Sequence, residues 1–224
     1  MDILSIDNLG IDRVLKRGTG IIVEEQAGAL LVKDTVSGAY MLACDERENG
    51  RDILKRRRTD EMKLLMVSDY SLGKEAFETF GFSEKIECFQ VAYYGKSPTF
   101  ESPLTVRKAD ENDLPMLVKN YSLISPEEMA EVVKRRSMLL GYIGGSLIGF
   151  IGEHLEGSMG LLYVFPEYRN KGYGTALQER MIADTIERGY VPFGQVEKSN
   201  QKSLSLQKKL GMTVSENLIV WMWR

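Results

Sequence analysis

Over the first ninety or so residues, short apolar runs alternate with polar turns at the spacing of strands. Ile21 to Val23, Ala29 to Lys33 and Tyr40 to Cys44 are three such runs, and Cys88 to Tyr94 is a fourth. The stretch from Tyr94 to Pro103 differs: two prolines with glycine and serine between apolar runs have the composition of a linker. After it, Leu104 to Arg107 reads as a strand, and Asp110 precedes a helix-like segment containing Asp113, Leu114, Leu117 and Val118. Ser125-Pro126-Glu127-Glu128 marks another helix start. Its serine can accept a first-turn N–H, its proline presets φ, and its glutamates face the positive end of the dipole.

Met138 to Tyr142 and Leu147 to Glu153 predict a hairpin around Gly144-Gly145, with a third strand, Met159 to Val164, after the turn at Glu156-Gly157. From Gly172, residues Leu177, Met181, Ile182 and Ile186 recur at helical spacing, and Arg188-Gly189 supplies the stop. Val191 to Val196 is then a strand, Ser203 to Leu210 a short helix closed by Gly211, and Met212 to Trp223 extended, its tryptophans alternating as in sheet packing. A weak repeat connects the halves: laying Gly81-Phe82 on Gly211-Met212 puts Phe80 on Leu210, Ala76 on Leu206 and Val67 on Glu197. In the first half, Asp45-Glu46-Arg47-Glu48-Asn49-Gly50 follows the third strand without a G-x-G, so no phosphate site is expected there.

With 224 residues, 43% hydrophobic and 27% charged, the chain has the balance of an ordinary globular protein. A net charge of −3 gives no overall positive field for nucleic acid or anionic lipid, and Lys55-Arg56-Arg57-Arg58 reads as a solvated helix face. Cys44 and Cys88 form no CxxC pair and fit reduced thiols; with His154 the only histidine, zinc is not expected. Met1-Asp2-Ile3-Leu4-Ser5 has no basic region before an apolar run, and no apolar stretch approaches the ~20 residues of a membrane helix. The expectation is a cytoplasmic protein, monomer or homodimer, with neither nucleic acid nor membrane as partner.

The chemistry concentrates in one loop. A strand ending at Val164, a basic, glycine-containing loop and a helix from Gly172 make an anion site, because the first turn of a helix leaves N–H groups unpaired and partly positive. Gly172 and Gly174 would let a diphosphate approach the backbone; Arg169 and Lys171 add charge, and Thr175 a hydroxyl. The third glycine of the dinucleotide fingerprint and the G-K-[ST] of a P-loop are absent.

The segment Gly157 to Gly174 closely resembles motif A of the GNAT acyltransferase superfamily, [QR]-x-x-G-x-[GA], which Arg169, Gly172 and Gly174 match. Pro166-Glu167-Tyr168-Arg169, with Asn200, Ser203, Leu206, Leu210 and Gly211, is most similar to the branch containing the glycine N-acyltransferases, whose members also carry a degenerate first half. The resemblance covers about Leu104 to Arg224 and implies an α/β (α+β) GNAT fold, a central mixed, mostly antiparallel sheet flanked by helices. It also implies a division into a degenerate GNAT-like half at 1–97, a linker at 98–103 and an acyl-CoA-binding domain at 104–224. By the same resemblance, the strand from Leu161 to Val164 splays from that of Val191 to Val196, and the pantetheine arm of acetyl-CoA bonds to the backbone near Tyr163 and Val164. The pyrophosphate lies on Arg169, Asn170, Lys171, Gly172, Tyr173, Gly174 and Thr175, while Asn200 and Ser203 belong to the cofactor site at the next helix start. The alternative reading of Asn200 is a plain N-cap.

The activity implied is direct transfer of an acetyl group from acetyl-CoA to a primary amine of a small molecule or peptide. Such a reaction needs a neutral amine, an oxyanion site and often a proton for the leaving thiolate. At two places the chain departs from the family pattern: Ser158 stands where many relatives carry a catalytic glutamate, and Gln207 where many place a tyrosine acid. Glu153, His154 and Glu156 are the nearby candidates for acid-base work, though hairpin-end residues are polar in any case. A catalytically silent acyl-CoA-binding or regulatory module is the alternative, favoured by those two departures.

Overall fold

The computed structural model describes residues 2–224. Along the chain run α1 (Leu9–Lys16), β1 (Gly20–Gln26), β2 (Ala29–Asp34), β3 (Tyr40–Cys44), α2 (Arg47–Arg57), β4 (Leu64–Val67), α3 (Tyr70–Thr79) and β5 (Glu84–Ala92). There follow β6 (Thr105–Lys108), α4 (Leu114–Asn120), α5 (Pro126–Lys134), β7 (Met138–Ile143), β8 (Ser146–Glu153) and β9 (Met159–Val164). The last elements are α6 (Tyr173–Glu187), β10 (Phe193–Glu197), α7 (Gln201–Lys209) and β11 (Thr213–Trp223). They form two compact units, one comprising residues up to Ala92 with Gln195–Lys208 and Met212–Arg224, the other Tyr93–Gly194 with Lys209–Gly211.

In the first unit, β2 pairs antiparallel with β1 and β3, β3 lies parallel to β4, and β11 runs antiparallel to both β4 and β5. Strand alternation divides the apolar residues between two faces. Leu42, Leu65, Val67 and Val220 pack with Ile53 and Leu54 of α2 and Leu72 and Ala76 of α3, while Met41, Met66 and Ile219 pack with Ile11 and Val14 of α1. Cys44 and Cys88 are free, and burial is the main cause pushing each thiol up to about 12. Arg56 and Arg57 of the basic run pair with Glu24 of β1.

In the second unit, β6, β7, β8 and β9 pair antiparallel in chain order, and Gly194 of β10 pairs parallel with Met159 of β9. Leu117 of α4 and Met129, Val132 and Val133 of α5 cover Leu140, Phe150 and Leu161 on one face. Helix α6 packs against β7, β8 and β9, and Gly141 makes room for Leu177: a β-carbon at 141 would stand 2.7 Å from the Leu177 Cδ2. The strands are mixed in direction and mostly antiparallel with helices against them, as expected for a central sheet. Among the described residues no helix is long and apolar enough to cross a membrane, and no three His, Cys, Asp or Glu side chains converge as metal ligands.

The expected hairpin turns at Gly144 and Gly145, with φ of 54° and 82°, and Ser125 Oγ accepts the Glu128 N–H at 3.1 Å. The repeat recurs in the structure: β4 ends at Val67 and β10 at Glu197, and α3 and α7 are closed by Gly81 and Gly211 with φ of 72° and 75°. Two expectations need correction. Strand β10 begins at Phe193, since Pro192 has no N–H for a ladder and its carbonyl takes the Tyr93 N–H at 2.9 Å. The division at 98–103 also differs from the compact units: β11 closes the ladder of β4 and β5, so most of the chain after Gly194 groups with the first ninety residues.

Candidate functional site

Strand β9 is not a regular ladder. Gly149↔Val164 and Phe150↔Tyr163 pair at one end and Gly152↔Gly160 and Glu153↔Met159 at the other, leaving Leu161 and Leu162 opposite the single residue Ile151. That two-against-one count is a β-bulge, and Leu161 absorbs it with φ of 48°, a left-handed conformation uncommon for leucine. Past the bulge, the Phe165 N–H donates to the Ile148 carbonyl at 3.0 Å. Alternation then turns the Tyr163 backbone toward β8 and the Val164 backbone away from it. The Val164 carbonyl accepts Arg169 Nε at 2.9 Å, and its N–H points off the β8 edge.

The chain next makes a 3-10 turn at Pro166–Tyr168 and reaches α6 through Asn170 and Gly172, with φ of 61° and 82°. Helix α6 begins without a side-chain cap; its first internal bond runs from the Ala176 N–H to the Gly172 carbonyl at 3.1 Å, so the N–H groups of Tyr173, Gly174 and Thr175 open outward. No acidic side chain lies in that first turn. Lys171 Nζ donates to the Glu167 carbonyl at 3.0 Å, and the Arg169 guanidinium lies over the Tyr163 ring at 5.5 Å. Both cations are thereby held at the loop. A β-carbon on Gly174 would lie 3.9 Å from Leu162 and Val164, an ordinary contact, and φ there is not positive. Nothing inside the protein requires residue 174 to be glycine, although glycine in a helix costs about 1 kcal/mol relative to alanine.

The three acid-base candidates separate by strand parity. Glu153, 2% exposed, turns toward α6, where its carboxylate pairs with Arg188 at 2.8 Å and accepts the Thr185 hydroxyl at 3.2 Å. His154, the next residue, turns to the other face, its Nδ1 3.8 Å from Glu128 Oε1 of α5. Glu156 is buried in the turn after β8 and accepts the hydroxyl of Ser158. Burial alone would push His154 down, but Glu128 and the charge of Glu156 outweigh it and raise its affinity for a proton above the ordinary histidine value.

In the first unit, Asn200 Oδ1 accepts the Ser203 N–H at 3.0 Å, which makes it the cap of α7. Gln207 on the same helix is buried, and its Oε1 has no hydrogen-bond partner.

The FR47-like protein family model matches residues 141–221, a span that includes β9, the loop and α6. Among solved structures, a Drosophila protein superposes with a TM-score of 0.68 at 17% identity, over 88% of this chain and 74% of that one. A GCN5-related N-acetyltransferase-like protein from Streptococcus suis gives 0.56 at 15%, over 96% and 92%. A GNAT-family acetyltransferase from Colwellia psychrerythraea gives 0.55 at 13%, over 92% and 84%. The chain has the GNAT fold. No curated protein matches it in sequence.

Within this GNAT fold, sequence reasoning located the loop, its strand and its helix but missed Glu128 beside His154 and Tyr121 near Glu128. Glu128 served there only as a helix-start signal, and Tyr121, at the end of α4, was not singled out. Tyr121 packs edge-on against Phe150 with ring centroids 6.2 Å apart. Burial and the nearby Glu128 raise its pKa against an opposing hydrogen bond from the Leu161 backbone. The signal available for Glu128 was weak: α5 buries Met129, Val132 and Val133, which leaves residue 128 at the border of its apolar face.

Proposed function

We propose that this chain is an acyl-CoA-dependent N-acyltransferase, moving an acetyl group directly from acetyl-CoA to the primary amine of a small molecule or peptide. Gly174 carries the reading. It sits in the first turn of an uncapped helix, where internal packing would accept alanine, so the missing β-carbon is best explained by a ligand at the backbone. The residues fit the diphosphate of coenzyme A: N–H groups of Tyr173, Gly174 and Thr175 beside Asn170 and Gly172, with Arg169 and Lys171 adding positive charge. The Val164 N–H, directed off the β8 edge, and the backbone of neighbouring Tyr163 border the pantetheine arm; Asn200 and Ser203 join by the resemblance alone. The bound cosubstrate supplies an activated thioester. This chain's part is to orient it and to present a neutral amine.

The likeness to the glycine N-acyltransferase branch puts glycine among the acceptors to be tried and longer acyl chains among the donors. Calorimetry with acetyl-CoA, CoA and ATP should show binding that depends on the pantetheine arm. Thiol release over a panel of amines should then show turnover. Tight acetyl-CoA binding without turnover on any amine would sink the enzyme reading, and equal competition by ATP would sink the cofactor.

A further inference from the structure

The α5 face of β9 carries a cluster of polar groups among its apolar neighbours. Beside the bulge stand Glu128, His154, Glu156 and Ser158, with Tyr121 bordering Glu128 and the Leu161 backbone. Gly160, the residue before the bulge, shows how closely they approach the strand. A β-carbon there would lie 2.6 Å from His154 Nε2, so the imidazole occupies the space a side chain would take and rests on the β9 backbone. Nδ1 faces Glu128 at 3.8 Å, so that carboxylate favours a proton on Nδ1 and leaves Nε2 the lone pair of the neutral ring. His154 and Glu128 keep about a third of each side chain in solvent, 34% and 33%, so the pair is reachable, whereas Glu156 and Ser158 are 8% and 1% exposed.

We propose that His154 is the base that deprotonates the acceptor amine, with Glu128 and Glu156 as positioning residues that orient the imidazole and draw a cationic substrate to it. The inference rests on the acyltransferase reading above. In the step itself, an N–H bond of the substrate ammonium breaks and its electron pair stays on nitrogen. The proton moves to Nε2, and the imidazolium later releases it from there to water. A raised proton affinity suits this task, since a stronger base takes a proton from an alkylammonium more readily. Ser158 donates its hydroxyl to Glu156 and so fixes that carboxylate, whose charge acts on the ring. The acceptor class that fits is a primary amine on a neutral or cationic carrier, because Glu128 and Glu156 repel an anionic one; glycine, whose carboxylate is such a group, should then be the poorer acceptor.

The lone histidine makes the test direct, since a proton NMR titration of the ring contains a single imidazole. Glu128→Gln and Glu156→Gln should each move that titration to lower pH. In Glu128→Gln, the ascending limb of kcat/KM for the amine should move by the same amount while acetyl-CoA affinity stays at the wild-type value. His154→Gln should lower kcat/KM about 100-fold or more, again without loss of acetyl-CoA binding. An NMR titration that shifts while the kinetic limb stays fixed would overturn the proposal, as would His154→Gln activity within threefold of wild type. If His154→Gln fails to fold, the Glu128→Gln pair of measurements decides alone. Absence of turnover in the wild type instead removes the acyltransferase reading, and this inference with it.

Discussion

The carbonyl oxygen of Tyr163 occupies the space that a β-carbon on Gly149 would need. The two strands approach most closely there because Gly149 pairs with Val164 just past the bulge, and neither backbone can move without shifting the loop that follows.

Gly149→Ala should therefore destabilise the second unit through backbone displacement. A loss on the order of 2 kcal/mol is expected, within the range for overpacked cores. Because Val164 moves with it, acetyl-CoA affinity should fall together with stability; thermal unfolding and calorimetry on the same sample check this, and an unchanged melting temperature would contradict it.

Gly174→Ala should separate those two quantities. With 3.9 Å to its nearest neighbours, the added methyl meets no clash, and helix propensity favours it by up to about 1 kcal/mol. The variant should be as stable as wild type or more so, yet bind acetyl-CoA on the order of tenfold more weakly, ~1.4 kcal/mol. Unchanged affinity would mean that no ligand approaches the backbone at this turn.

Arg188→Leu should unfold the protein at lower denaturant by leaving the Glu153 carboxylate buried opposite α6 without its guanidinium. The expected loss is near the lower end of about 3–5 kcal/mol, since Arg188 keeps 30% of its side chain in solvent. Glu153→Gln should leave the pH dependence of transfer unmoved, which distinguishes it from substitutions at His154.

The ion pair of His154 with Glu128 also gives a stability profile with a defined sign. Because the folded protein raises the proton affinity of this histidine, its contribution is full below the ordinary histidine value near 6.5 and is lost as pH rises through the higher folded value. Urea unfolding across that window should show the stability difference between wild type and His154→Gln shrinking with rising pH. A difference independent of pH would mean that the pair does not form.

Much of this molecule was legible because its signals are local. Ser125 caps α5, Gly144-Gly145 turns the hairpin, and Gly172 takes the left-handed conformation that opens α6. Helix α1 escaped notice although Ile11, Val14 and Leu15 recur at helical spacing against the sheet, because the helix spans only eight residues, barely two turns of the period. The bulge was equally hidden: Leu161 and Leu162 look like any apolar pair, and the irregularity exists only against the register of β8. Residues 153, 154 and 156 formed one polar cluster in sequence, and only the pleat shows that Glu153 serves α6 while His154 meets α5. Glu128, 26 positions before His154, joins it through tertiary packing that no spacing rule encodes.

Strand β11 lies between β4 and β5, so during synthesis the first unit lacks its central ladder until residues 213–223 have been made. At about 5–20 residues per second, the β4 and β5 edges wait several seconds for the strand that joins them, while β6 to β9 and α6 already have their partners in hand. The nascent first unit is consequently more exposed to wrong edge pairing during synthesis than β6 to β9, and a lesion in residues 213–223 would be felt first by strands made well before them.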